Sequence, residues 1–215
     1  MDAPWTRHYQ PGVPAEIELP TESLVALYER SVREAGSAVA TEFFGRTTTY
    51  AELGDQIERA AEGLRKLGVQ AGDRVALILP NCPQHVVAFY AILRLSAIVV
   101  EHNPLYTERE LRHLFEDHAA RVAICWDAAV AKLKAMPDDL ALEHIVSVNL
   151  LKAFPAVKRL ALQLPVKKLR TTRDRLTQPA PGTTPWEQLL KASPLAKSHP
   201  RPGVHDLAVI QYTSG

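Results

Sequence analysis

Cysteine is scarce: Cys82 and Cys125 are the only two in 215 residues. They form no CxxC pair, which speaks against a zinc site and for two reduced structural thiols, with a disulfide as the alternative. HExxH and HxH are missing, and His113 and His118, five residues apart, fall on different faces of a helix. No metal site is expected; only Glu101 beside His102, at a strand end, merits inspection as an acid–histidine pair. Neither GxGxxG nor GxxxxGK[ST] occurs, which disfavours dinucleotide dehydrogenases and Walker-type NTPases. No apolar run approaches the ~20 residues of a membrane span. The opening MDAPWTRHYQPGVPAEIELP has no cationic stretch before an apolar core, so the chain reads as cytoplasmic.

What is present is globular. Hydrophobic residues make up 47% and charged residues 23%, enough for one large domain or two small ones. The net charge of +1 hides an asymmetry. Residues 1–150 carry 14 basic against 21 acidic side chains, and residues 151–215 carry 11 against 3.

The pattern predicts an extended arm over 1–20, an α/β unit over 21–150, a basic, proline-rich insert or linker over 151–203, and a strand with a loop over 204–215. A helix follows Thr21, with Leu24, Leu27, Tyr28 and Val32 at spacings of three and four. SAVATEFFGRTTTY alternates around Gly45 as a hairpin does. Thr49 with Glu52, and Thr107 with Glu110, have the spacing of capping boxes, and Asn81 is placed to cap a helix from Pro83. DRVALILP, AIVV, ARVAICW and EHIVSVN read as buried strands between helices. Together they predict an α/β fold with a mostly parallel, helix-covered sheet. Residues 179–202 hold six prolines and read as a loop or linker outside the core.

The chain closes on AVIQYTSG. Ala208 to Tyr212 read as a buried strand, and Thr213, Ser214 and Gly215 stand where open parallel sheets bind ligands, beyond a strand's carboxyl end. Two hydroxyls and a glycine suit a phosphate, since hydroxyls donate and glycine lets backbone N–H groups approach. A plain strand-to-turn is the competing reading. A serine nucleophile is excluded, because Tyr212 occupies a position where the nucleophile elbow needs glycine. From Lys152 to Arg175 there are eight basic residues and one acid, Asp174. Such a run is usually a solvated face; Leu160, Leu162, Leu164 and Val166 favour an anionic membrane surface over nucleic acid, with Lys158, Arg159, Lys167, Lys168 and Arg170 as its candidate contacts.

Residues 47–125, from TTTYAELGDQIERAAEGLRKLG through NPLYTERELRHLFED to ARVAIC, resemble the amino-terminal part of the large domain of adenylate-forming acyl-CoA synthetases. NPLYTERELRHLFED is most similar to the long-chain fatty-acid–CoA ligases, and DLAVIQYTSG resembles the lead-in to that family's phosphate loop. The resemblance covers about 20–150 and 204–215. It implies ATP, Mg²⁺ and coenzyme A as cofactors of a parent enzyme, a fatty acid as its substrate, and a phosphate role for Thr213, Ser214 and Gly215. It assigns no catalytic residue within the chain and none of these cofactors bound to it. The chain thus reads as an inactive front piece of a longer ligase, prone to self-association and able to sit peripherally on the inner membrane face. A ligase for aryl or amino acids, or a non-catalytic binding module, is the alternative.

Overall fold

The computed structural model describes residues 4–212. Helix α1 (Leu24–Ala35) starts where Ser23 Oγ accepts the N–H of Ala26. A hairpin of β1 (Val39–Phe43) and β2 (Arg46–Thr49) then leads directly into α2 (Tyr50–Lys66). Both predicted capping boxes form. Glu52 accepts the N–H of Thr49 at 2.8 Å, and Glu110 that of Thr107 at 2.7 Å, opening α2 and α4 (Glu108–His118). These bonds to the ionised form hold both carboxyls below their ordinary range. Asn81 does not cap. Helix α3 (Pro83–Arg94) begins after Cys82 with no side-chain cap, because Pro83 sets the first turn and leaves Asn81 one residue too early.

The strands β3 (Arg74–Ile78), β4 (Ile98–Glu101), β5 (Val122–Trp126), β6 (His144–Val148), β7 (Thr184–Pro185) and β8 (Val209–Gln211) form one sheet, ordered β7-β6-β5-β3-β4-β8, with every pairing parallel. The fold is therefore the expected α/β class. Val75 and Leu77 of β3 pack with Ile57 and Leu64 of α2 and Val87 and Ile92 of α3. Ala76 and Ile78 pack on the opposite face with Leu111 and Phe115 of α4 and Val130 and Leu133 of α5 (Val130–Ala135). The chain moves from β3 to β4, then crosses back past β3 to β5, so right-handed connections place successive helices on opposite faces. Segments leaving β3 and β5 consequently diverge, which opens a crevice at the carboxyl ends of the strands.

Two expectations change. β8 is half-buried rather than buried, because it lies at the sheet's edge with β4 on one side only. The stretch 179–202 is not outside the core. After the short helices α6 (Ala156–Ala161) and α7 (Lys167–Leu176), it adds β7 to the sheet, and α8 (Trp186–Leu189) buries Trp186 and Leu189 beside α2. Gly63 of α2 permits this approach, since a Cβ there would lie 2.8 Å from Leu189 Cβ.

A buried guanidinium secures the rest of that stretch. Arg94, fully buried on α3, donates to Glu58 of α2 at 3.1 Å and to the carbonyls of Pro200 at 3.1 Å and His199 at 3.4 Å. Tyr28 of α1 also donates to Glu58, at 2.8 Å. Removing one member of a buried charge network leaves the others unpaired, a loss of about 3–5 kcal/mol. Arg94→Met should therefore lower unfolding stability by about that much in a denaturant melt, and Arg94→Lys should recover only part, because an ammonium lacks the planar fork. A wild-type melt for Arg94→Met would refute the assignment.

Candidate functional site

Side chains alternate along β4, and this decides what meets at its carboxyl end. Glu101 follows Val99 toward α3, where its Oε1 lies 2.9 Å from His85 Nε2. That contact raises the His85 pKa, with burial opposing it. His102, one residue on, turns to the α4 face. Its ring stacks on Phe115 at 5.7 Å and 16° and on Tyr212 at 6.0 Å and 14°. The expected Glu101–His102 pair thus does not converge; the pleat sends the two to opposite faces, each to a different histidine.

The partner of His102 is His118, with the two Nε2 atoms 3.1 Å apart. His118 Nδ1 accepts the N–H of Ala120 at 3.0 Å, so in the neutral ring its proton sits on Nε2 and is donated to His102. His102 then carries its own proton on Nδ1, a buried atom with no partner among the described residues. Burial, reinforced by His118, depresses the His102 pKa to about 3, and burial depresses that of His118 to about 4. Tyr212, directly after β8, donates its hydroxyl to Asp117 Oδ2 on α4, and burial followed by that bond pushes its pKa up to about 12.

At the end of β3, Thr41, Glu42 and Phe43 of the hairpin face Asn81, Cys82 and His85 across a cavity of about 340 Å³. Cys82 and Cys125 are free and buried, with burial raising their thiols to about 11 and about 12, which disqualifies both as nucleophiles. At the end of β5, Asp127 is buried and accepts the Thr177 hydroxyl, while Trp126 Nε1 donates to the Leu176 carbonyl at 2.9 Å. Among the described residues no group of three or more His, Cys, Asp or Glu could hold a metal ion.

Thr213, Ser214 and Gly215 lie outside the described residues. Lys158 and Arg159 lie on α6, and Lys167, Lys168 and Arg170 on α7. Sequence reasoning missed His102–His118 because it compared His118 only with His113 along one helix. The missing signal was parity: His102 shares a sheet face with Ala76 and Ile78, the face on which Leu111, Phe115 and His118 form the inner stripe of α4.

The family described as AMP-binding enzyme matches residues 28–215. The chain belongs to that family. It is 31% identical over 214 residues to a long-chain-fatty-acid–CoA ligase of Bacillus subtilis (strain 168), covering 99% of this chain and 38% of that relative. Among solved structures, the anthranilate CoA ligase AuaEII in complex with anthranoyl-AMP superposes with a TM-score of 0.73 at 22% identity, over 92% of this chain and 33% of that one. A long-chain-fatty-acid-CoA ligase from Archaeoglobus fulgidus gives 0.68 at 20%, over 96% and 37%. The chain thus spans about two fifths of the curated relative's length, 38%, and the superpositions establish the shared α/β fold.

The neutral histidine pair makes a pH prediction for this chain. Unfolded, both rings protonate near pH 6.5; folded, they resist protonation until about 4 and about 3. The unfolded state therefore takes up protons first, and stability is lost as pH falls below about 6.5, by at most ~1.4 kcal/mol per pH unit for each ring. His85, with its raised pKa, changes its contribution mainly above pH 6.5 and adds little slope below it. Melts between pH 6.5 and 5, a window above most carboxylate titration, should show a flatter slope for the double variant His102→Leu/His118→Leu than for wild type. Parallel slopes would refute the neutral-pair assignment.

Proposed function

We propose that this chain is the amino-terminal part of an ATP-dependent fatty-acid–CoA ligase. In that reaction a fatty carboxylate attacks the α-phosphorus of ATP and expels pyrophosphate, forming an acyl-adenylate. The thiol of coenzyme A then attacks the acyl carbon, releasing AMP and leaving the thioester. The observation that carries this reading is the 31% identity to a long-chain-fatty-acid–CoA ligase over 99% of the chain. In support, β8 runs parallel beside β4, so Tyr212 stands at the carboxyl end of a parallel strand, the side of such sheets on which ligands bind.

Within this reading Thr213 and Ser214 donate hydroxyls, and Gly215 backbone N–H, to ATP phosphate oxygens, stabilising the charge that grows as pyrophosphate leaves. Asp117, through Tyr212, fixes the strand end from which they project. Mg²⁺ would neutralise phosphate charge when bound; no described residue of this chain is assigned to hold it. The 215-residue polypeptide alone is proposed to make no acyl-adenylate, since it spans 38% of the relative's length. Self-association through the open edge of β8 belongs to the same reading. Sedimentation velocity tests it, and a clean monomer at high concentration removes it.

ATP–pyrophosphate exchange is the decisive assay. The protein as its gene encodes it should exchange with palmitate, and Thr213→Ala and Ser214→Ala should each slow exchange by ~10² to 10³, the usual loss for one transition-state donor. Their melting temperatures should match wild type, as each change removes a hydroxyl after a strand end and leaves little cavity. Full activity in both variants, exchange with aryl acids in place of palmitate, or turnover by the 215-residue polypeptide would each defeat the corresponding part.

A further inference from the structure

Residues 152–175 carry eight basic side chains against Asp174 alone, and the structure supplies what composition could not: the company they keep. Leu162 anchors α6 inward at 8% exposure, while Val157, Leu160 and Leu164, spaced three and four apart, point outward at 78%, 65% and 53%. Val166 joins them, half exposed. An apolar stripe of this kind normally faces a core. Here it faces solvent.

The hairpin turn lies against the same segment. Phe44, with φ of +52°, occupies a left-handed turn position that favours asparagine or glycine, and it is 55% exposed. Its ring stacks on Phe154 at 4.5 Å and 16°, and Phe43 meets both rings edge-on. Lys158 lies 5.9 Å above the Phe44 ring and donates to the Phe44 carbonyl at 2.8 Å. Arg46, just past the turn, donates to the Lys152 carbonyl at 2.7 Å. The tip of an early hairpin and the basic segment, more than a hundred residues later in sequence, thus form one surface.

We infer that this surface docks on an anionic lipid bilayer. Phe44, Val157, Leu160, Leu164 and Val166 enter the headgroup boundary, while Lys167, Lys168 and Arg170 on the exposed helix α7 face lipid phosphates. Charge complementarity selects the occupant: the segment's acid, Asp174, is paired with Arg173, which leaves a strongly basic face beside aliphatic side chains. Nucleic acid fits less well. Its bases stack on open aromatic faces, whereas Phe44 is engaged on one side by Phe154 and approached by Lys158. The proposal goes beyond the ligase reading and does not depend on it, because its test uses no catalysis.

Co-sedimentation of the gene-encoded protein with phosphatidylcholine vesicles, with and without phosphatidylglycerol, tests it. Binding should require phosphatidylglycerol and fall by about tenfold or more in Lys167→Glu/Lys168→Glu/Arg170→Glu. Arg109→Glu, an exposed charge reversal on α4, should bind as wild type does. Phe44→Ser/Leu160→Ser should keep low-salt binding but lose the part that survives high salt, where screening leaves apolar insertion in charge. No binding by wild type, equal binding by the triple reversal, or displacement from vesicles by single-stranded RNA would overturn the proposal. Melts of each variant separate lost binding from lost folding.

Discussion

A guanidinium with no access to water organises one side of this molecule. Arg94 can remain charged inside the protein only if its N–H groups find acceptors, and those come from α2 through Glu58 and from the proline-rich return through the His199 and Pro200 carbonyls. Glu29 of α1, 3.9 Å away, adds charge and is itself held by Arg201 at 2.9 Å. These partners lie far apart in sequence and must arrive together, because a half-satisfied network costs more than none. Their meeting point sets where the chain runs before Ala208, whose carbonyl accepts the N–H of Val99. Thus β8 is laid parallel against β4, with Val209, Ile210 and Gln211 opposite Val99, Val100 and Glu101.

The second organising rule is the two-residue period of a strand. At the end of β4 it parts Glu101 from His102 and matches each to a different helix, so one residue step separates an ion-pair environment from an apolar one. Histidine accordingly behaves in two ways within a few ångströms of the same strand end. His85, next to a carboxylate, has its protonated form favoured, whereas His102 and His118, enclosed by Phe115 and Tyr212, stay neutral.

Legibility in the sequence followed the range of the interaction. Capping boxes, the hairpin and the amphipathic stripe of α2 are settled within a few residues, and they were readable because their partners sit inside the same short window. The strand–helix alternation gave the parallel sheet for the same reason. What escaped was non-local. Six prolines in 179–202 argue for a loop, and nothing nearby signals that Trp186 will be buried in the core or that Leu189 will occupy the space Gly63 of α2 leaves open. The His102–His118 contact needed the face assignment of β4 together with the packing of α4, two inferences in series. The Phe44–Phe154 stack joins elements whose separation hides it from any periodic pattern.

The electrostatics at the sheet's carboxyl end bear on the proposed phosphate loop. Glu101 lies opposite Gln211 and Asp117 contacts Tyr212, and a carboxylate here would repel an anionic ligand. Glu101 is paired with His85, whereas Asp117 accepts only the neutral Tyr212 hydroxyl, a bond that orients the carboxylate without cancelling its charge. The histidines nearest Tyr212 contribute no compensating charge, since burial keeps them neutral. In the proposed reading, with both histidines neutral, attraction for phosphate comes from the N–H and hydroxyl dipoles of Thr213, Ser214 and Gly215. Such dipoles need no reorganisation as charge shifts during reaction.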